Sequence, residues 1–115
     1  MRATPGTNPA VWESEAEQPE LCARLREALS AVTDPEIGLN IIQLGLIRNV
    51  KIESDQVIIK MILTTPFCPY GPAMLEETRQ KAEAALERPV FMDLGMEAWD
   101  FGMMTEDLGM DWGLY

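Results

Sequence analysis

The chain has 115 residues, 19 acidic against 9 basic for a formal charge of −10, two cysteines and no histidine. Without histidine, Cys-His and Ser-His-Asp catalysis as normally built are excluded and the commonest zinc ligand is gone. The acidic balance repels phosphate backbones and argues against nucleic acid as a partner.

The length suits a single domain that buries a core without metal or disulfides. Residues 1–18 are rich in Pro, Thr, Gly, Asn and Glu, with Val11-Trp12 as their only apolar pair. No core face runs through them, so they read as a flexible tail ahead of one domain at 19–115. This N-terminus has no apolar stretch of signal-peptide or membrane-span length, and the two cysteines form no spaced framework. A reducing, cytoplasmic setting is expected.

Pro19 opens a helical pattern with Leu21, Leu25, Ala28, Leu29 and Val32 on one stripe, an amphipathic helix covering a core. Cys22 borders that stripe and reads as a small buried hydrophobe. Asp34-Pro35 ends the helix, because the residue before proline is driven out of the α region. The Asp34-Pro35-Glu36 stretch reads either as a turn capped by Asp34 or as two carboxylates presented to a site. Both readings stay open at this level. Residues 39–46 are apolar without clear period, broken by Gly45, and suggest an irregular or single-turn segment.

From Leu46 the pattern alternates, with Leu46, Val50 and Ile52 on one face and Asn49, Lys51 and Glu53 on the other, a strand. Ser54-Asp55 suits a hairpin turn. Residues 56–65 are apolar on both faces except at Lys60, which marks a central strand. Pro66 and Pro69 then fix φ on either side of Cys68 and remove backbone donors, so this stretch is a stiff loop. Pro72 suits the first turn of a following helix, with Glu76 and Glu77 in its opening turns. A thiol just ahead of a helix N-terminus has a lowered pKa and a raised thiolate fraction.

Met74, Leu75, Thr78, Ala82, Ala85 and Leu86 form the second helical stripe, which Arg88-Pro89 stops. Val90, Met92, Leu94 and Met96 alternate as a third strand. A strand, helix, strand order favours parallel pairing by a crossover. The expected fold is an α/β (α+β) two-layer sandwich: a small mixed three-stranded sheet, hairpin plus parallel crossover strand, packed by two helices. In such a layout a site belongs at the C-terminal end of a strand, where Cys68 lies. The Met-rich and aromatic stretch from Trp99 onward reads equally as a flap closing the core or as an adaptable surface for another protein.

Asp34-Pro35-Glu36, the stretch from Asn40 to Ile47, Leu63-Thr64-Thr65-Pro66-Phe67-Cys68-Pro69 and Met103-Met104-Thr105-Glu106, in this order and spacing, resemble the SufT/PaaD-like iron-sulfur cluster assembly family. The resemblance implies a small α/β domain that helps deliver or insert clusters into apo-proteins and is not an enzyme. Its reactive cysteine maps onto Cys68 and its further site residues onto Asp34, Glu36, Thr64 and Thr65. It implies a transient iron or iron-sulfur cargo on Cys68, none tightly bound, shared with a second copy in a homodimer or with a client. The partners implied are other iron-sulfur assembly proteins and apo-protein clients, with no nucleic acid and no membrane. The alternative within the family is a PaaD-like adaptor assisting assembly of a multi-subunit metal-containing oxygenase, with Cys68 only packing the loop. Phe67, where the family has a small residue, and a short segment after Trp99 depart from the pattern. A thiol enzyme is disfavoured, since no histidine serves as base and no Cys-x-x-Cys pair is present.

Overall fold

In a computed structural model, which describes residues 10–35, 37–64 and 70–104, Pro19 starts helix α1 (Pro19–Leu29), where its missing N–H costs nothing. Cys22, Leu25 and Leu29 are its fully buried residues. The helix stops at Leu29, five residues before Asp34, so the Asp34-Pro35 pair is not what ends it. Val32 is buried as part of an antiparallel return in which its carbonyl accepts from Ile41 N–H at 2.9 Å, and Thr33 bridges Asn40.

Strands β1 (Ile47–Ile52), β2 (Val57–Met61) and β3 (Val90–Leu94) form one sheet in the order β1-β2-β3. The hairpin is antiparallel and β2 pairs with β3 in parallel, with α2 (Gly71–Leu86) as the crossover. The sequence-predicted two-layer α+β architecture, its hairpin at Ser54-Asp55 and the central position of β2 are all observed. One irregularity departs from simple alternation: Ile47 faces Met61 while Asn49 faces Lys60, so Arg48 is bulged out. The extra residue brings Ile47 onto the same buried face as Val50 and Ile52 despite the odd spacing of three between Ile47 and Val50.

Val50, Ile52, Val57, Ile59, Met61 and Val90 line the core face of the sheet against Leu25 and Leu29 of α1 and Met74, Ala82 and Leu86 of α2. Thr78, buried in the α2 stripe, donates to the Met74 carbonyl at 2.7 Å, which satisfies its hydroxyl within the helix. The opening turn of α2 holds no acidic residue. Glu76 pairs with Arg79 and Gln80 instead, an interaction that holds its carboxyl down to about 2.

Helix α2 ends in a left-handed residue, Glu87 at φ 54. Because a Cβ is disfavoured there and glycine is not, Glu87→Gly should raise the urea midpoint, by about 0.5–1 kcal/mol of stability; an unchanged or lowered midpoint would contradict the assignment.

The expected flexible tail needs correction for its described part, residues 10–18. Trp12 is 3% exposed, its Nε1–H donates to the Ile47 carbonyl at 3.0 Å and the Arg26 guanidinium lies 4.1 Å over its ring. Ser14 N–H donates to the Val50 carbonyl at 3.1 Å, and Ser14 Oγ accepts from Ile52 N–H at 2.7 Å. Gln18 Nε2 donates to the Ile52 carbonyl at 2.9 Å, and Glu15 pairs with Arg26. The segment therefore straps the outer edge of β1. Polar composition concealed this, because its docking uses one indole and backbone hydrogen bonds rather than an apolar stripe.

At the other end of the chain Met103 and Met104 are buried, so through Met104 the C-terminal stretch acts as the core-closing flap. Residues 105–115, including Thr105, lie outside the described residues. Among the described residues no helix is long and apolar enough to cross a membrane.

Candidate functional site

Two loops meet at the C-terminal end of β2. The first is the 34–39 turn. Asp34 donates its N–H to the Leu39 carbonyl at 2.9 Å and accepts from Gly38 N–H at 2.8 Å through its own carbonyl, while Oδ1 accepts from Ile37 N–H at 3.2 Å. Asp34 thus does cap its turn. It is also 1% exposed, and a buried carboxylate needs partners on both oxygens. Its Oδ2 faces the Thr64 hydroxyl at 3.4 Å, thirty positions along the chain.

The turn is held in place by a single helical turn at residues 40–45 with both ends capped. Asn40 N–H donates to Gln43 Oε1 at 3.0 Å and Gln43 N–H to Asn40 Oδ1 at 2.7 Å, a reciprocal capping box. Leu46 N–H returns to the Ile41 carbonyl and Gly45 N–H to the Ile42 carbonyl, a Schellman ending with Gly45 at φ +72. This explains why residues 39–46 show neither strand nor helix periodicity.

The second loop is described at its two ends, Thr64 after β2 and Tyr70 ahead of α2. Both of its roots are anchored: Thr64 against Asp34, and Leu63 so close to Gly71 that a Cβ there would lie 2.7 Å from Leu63 Cδ1. Cys68 and Thr65, and with them Glu36 of the first loop, fall outside the described residues. Of the five sequence-predicted site residues the structure therefore describes Asp34 and Thr64, and it brings them together. The other cysteine is of a different kind. Cys22 is fully enclosed, and burial, helped by the Glu15 charge, pushes its thiol up, away from the reactive thiolate. Among the described residues no group of three or more His, Cys, Asp or Glu side chains is placed to hold a metal ion.

Beside Thr64 opens a cleft of about 420 Å³ lined by Leu63, Thr64 and residues 94–99. Trp99 forms part of its wall and donates Nε1–H to the Leu44 carbonyl at 2.7 Å. Lys60 pairs with Glu97 at 3.1 Å; Glu97's own backbone N–H and this Lys60 partner hold its carboxyl below the usual range. Sequence reading missed this cleft. Its one sequence signal is the exposure implied when the apolar alternation of β3 runs on past the helix that covers it.

The sequence model of the iron-sulfur cluster assembly protein family matches residues 23–90, a span that contains both loops. The chain belongs to that family. It is 39% identical over 88 residues to an Fe-S protein maturation auxiliary factor of Porphyromonas gingivalis, covering 74% of this chain and 84% of that protein. It is 37% identical over 49 residues to the Fe-S protein maturation auxiliary factor SufT of Staphylococcus aureus, spanning 42% of this chain and 56% of the relative. An iron-sulfur cluster carrier protein of Deinococcus radiodurans matches at 35% over 81 residues, 70% of this chain but only 21% of the carrier. Among solved structures, a DUF59 domain of unknown function from Bacillus anthracis superposes with a TM-score of 0.74 at 21% identity, covering 87% of this chain and 98% of that one. A conserved hypothetical protein of Thermotoga maritima gives 0.62 at 30%, covering 80% and 93%.

Proposed function

We propose that the chain is an iron-sulfur maturation factor that helps deliver or insert clusters into apo-proteins through protein contacts, without turning over a substrate. The observation that carries this reading is the approach of buried Asp34 to Thr64 at the root of the Cys68 loop, in a member of the iron-sulfur assembly family. Cys68 is the thiolate that takes iron or a cluster in transit. Asp34 and Glu36 offer oxygen donors, and the Thr64 and Thr65 hydroxyls hydrogen-bond to the sulfur or to a cluster ligand. A nearby carboxylate opposes thiolate formation while the loop is empty, and a bound cation reverses that effect. One cysteine supplies a quarter of the ligands a cluster usually takes. The rest come from another assembly protein, a second copy or the apo-client, which suits handover rather than storage. A thiol kept for handling iron works in a reducing, cytoplasmic compartment. The relatives' names as maturation auxiliary factors support this reading over a PaaD-like adaptor.

Anaerobic reconstitution with ⁵⁷Fe and sulfide, read by Mössbauer spectroscopy and by cluster transfer to an apo-ferredoxin, tests the assignment. Cys68→Ser should lose transfer by about tenfold or more, the usual scale for a lost ligand or its support, while Cys22→Ser retains it with circular dichroism confirming the fold. Equal behaviour of the two variants overturns the role given to Cys68.

A further inference from the structure

The two outer edges of the sheet are treated differently. That of β1 is strapped by residues 12–18 through Ser14 and Gln18. On β3, Pro89 accepts from Val57 N–H at 2.9 Å and Gly95 N–H donates to the Met61 carbonyl at 2.8 Å, so the odd-numbered residues turn their backbone groups toward β2. The even-numbered residues Val90, Met92 and Leu94 turn theirs outward. Val90 N–H is taken up by Glu83 Oε2 at 3.0 Å. Among the described residues, nothing pairs with the outward N–H and C=O groups of Met92 and Leu94.

The guards on this edge are few. Pro89 stands before the strand and Asp93 is its one charged residue, with no bulge and no lysine in Val90–Leu94, devices by which natural sheets block strand addition. Phe91 is 55% exposed, Leu94 51% and Met96 94%, although Met92, Leu94 and Met96 continue the apolar alternation. Leu94 and Met96 further line the 420 Å³ cleft beside Thr64. An open ladder next to an apolar cleft is the arrangement that captures an extended peptide, main chain on the edge and alternate side chains in the pocket.

We propose that the outer edge of β3, with this cleft, docks an extended segment of a partner protein whose apolar residues alternate and whose flanks are basic. The charge argument comes from the groups around this edge: residues 83–100 hold Glu83, Glu87, Asp93, Glu97 and Asp100 against Arg88, and since Glu83 pairs with Arg79 and Glu97 with Lys60, Glu87, Asp93 and Asp100 carry the acidic surplus. A second copy of this chain would set one charge of −10 against another, whereas Lys or Arg flanks meet a complementary field. That the partner is an apo-client rests on the maturation role; the docking surface itself does not.

The test uses the full-length chain carrying Cys68→Ser, so that loss of cluster chemistry cannot mimic loss of docking. The synthetic peptide Lys-Lys-Thr-Val-Thr-Val-Thr-Lys-Lys is titrated against ¹⁵N-labelled protein and compared with its Glu-ended counterpart. Met92 and Leu94 amides should exchange freely in the unliganded protein and gain about tenfold or more protection with the Lys-ended peptide. The Glu-ended peptide should bind about tenfold or more weakly at low salt, the difference shrinking as salt rises. Leu94→Lys, which guards the edge at a half-exposed position, should abolish the protection. Equal binding of the two peptides overturns the proposal, as does protection of Met92 and Leu94 already present in the free protein. Protection present at all concentrations assigns the edge to residues 105–115, and protection that appears only with dimerisation assigns it to a second copy.

Discussion

Trp12→Ala should lower the stability of the folded chain by about 3–5 kcal/mol, the range for emptying a buried tryptophan site. The indole is enclosed, its N–H would leave the Ile47 carbonyl without that donor, and Arg26 would lose the ring beneath it. A native state holds only about 5–15 kcal/mol in total, so the urea midpoint should fall sharply while the m-value stays constant. If residues 10–18 were a loose tail, the same substitution would stay within about 0.5 kcal/mol, and that result would overturn the strap. The hydrogen bond from Arg26 holds the Glu15 carboxyl below its usual range. A depressed carboxyl contributes stability above its unfolded pKa and loses it as pH falls through the folded one. Acid should therefore loosen this strap, seen as faster amide exchange at Ile52, whose N–H bonds to Ser14.

Gly45→Ala should be the second large loss, about 3 kcal/mol or more. Gly45 sits at φ +72, and a Cβ built there would lie 1.8 Å from the Met103 carbonyl oxygen. The conformation alone costs about 1 kcal/mol for a residue with a Cβ. The collision is with backbone, which cannot rotate away, so the 99–104 flap must lift and expose Met103 and Met104. Each buried methionine is worth about 1.5–3 kcal/mol. Gly38 supplies the control: it too has positive φ, at +84, but a Cβ there meets nothing within 4 Å. Gly38→Ala should cost only the conformational part, about 1 kcal/mol. Equal losses in the two variants would show that the flap does not rest on Gly45. Because the flap also carries Trp99, which donates to the Leu44 carbonyl, Gly45→Ala should disturb the cleft beside Thr64 as well, visible as chemical-shift changes at Thr64 and Glu97.

Most of the framework was legible in residue order. The stripes of α1 and α2, the hairpin at Ser54-Asp55 and the parallel return of β3 follow from periodicity and from the reach of a crossover helix, which are local properties of the chain. The stiff loop expected from Pro66 and Pro69 around Cys68 lies outside the described residues.

What only the tertiary structure decided is which distant groups meet. Asp34 and Thr64 are thirty positions apart, and no periodicity links them; their approach depends on the double-capped turn at 40–45, where hydrogen bonds rather than hydrophobic pattern set the path. Trp12 reads as a tail residue because a single indole makes no stripe, yet the uncovered edge of β1 gives it a place. Met103 and Met104 read equally as surface or core until Gly45 is seen to lie beneath them. In each case the deciding interaction is long-range and involves one or two side chains or a backbone edge. Sequence pattern reports the burial of faces and carries little trace of such single contacts.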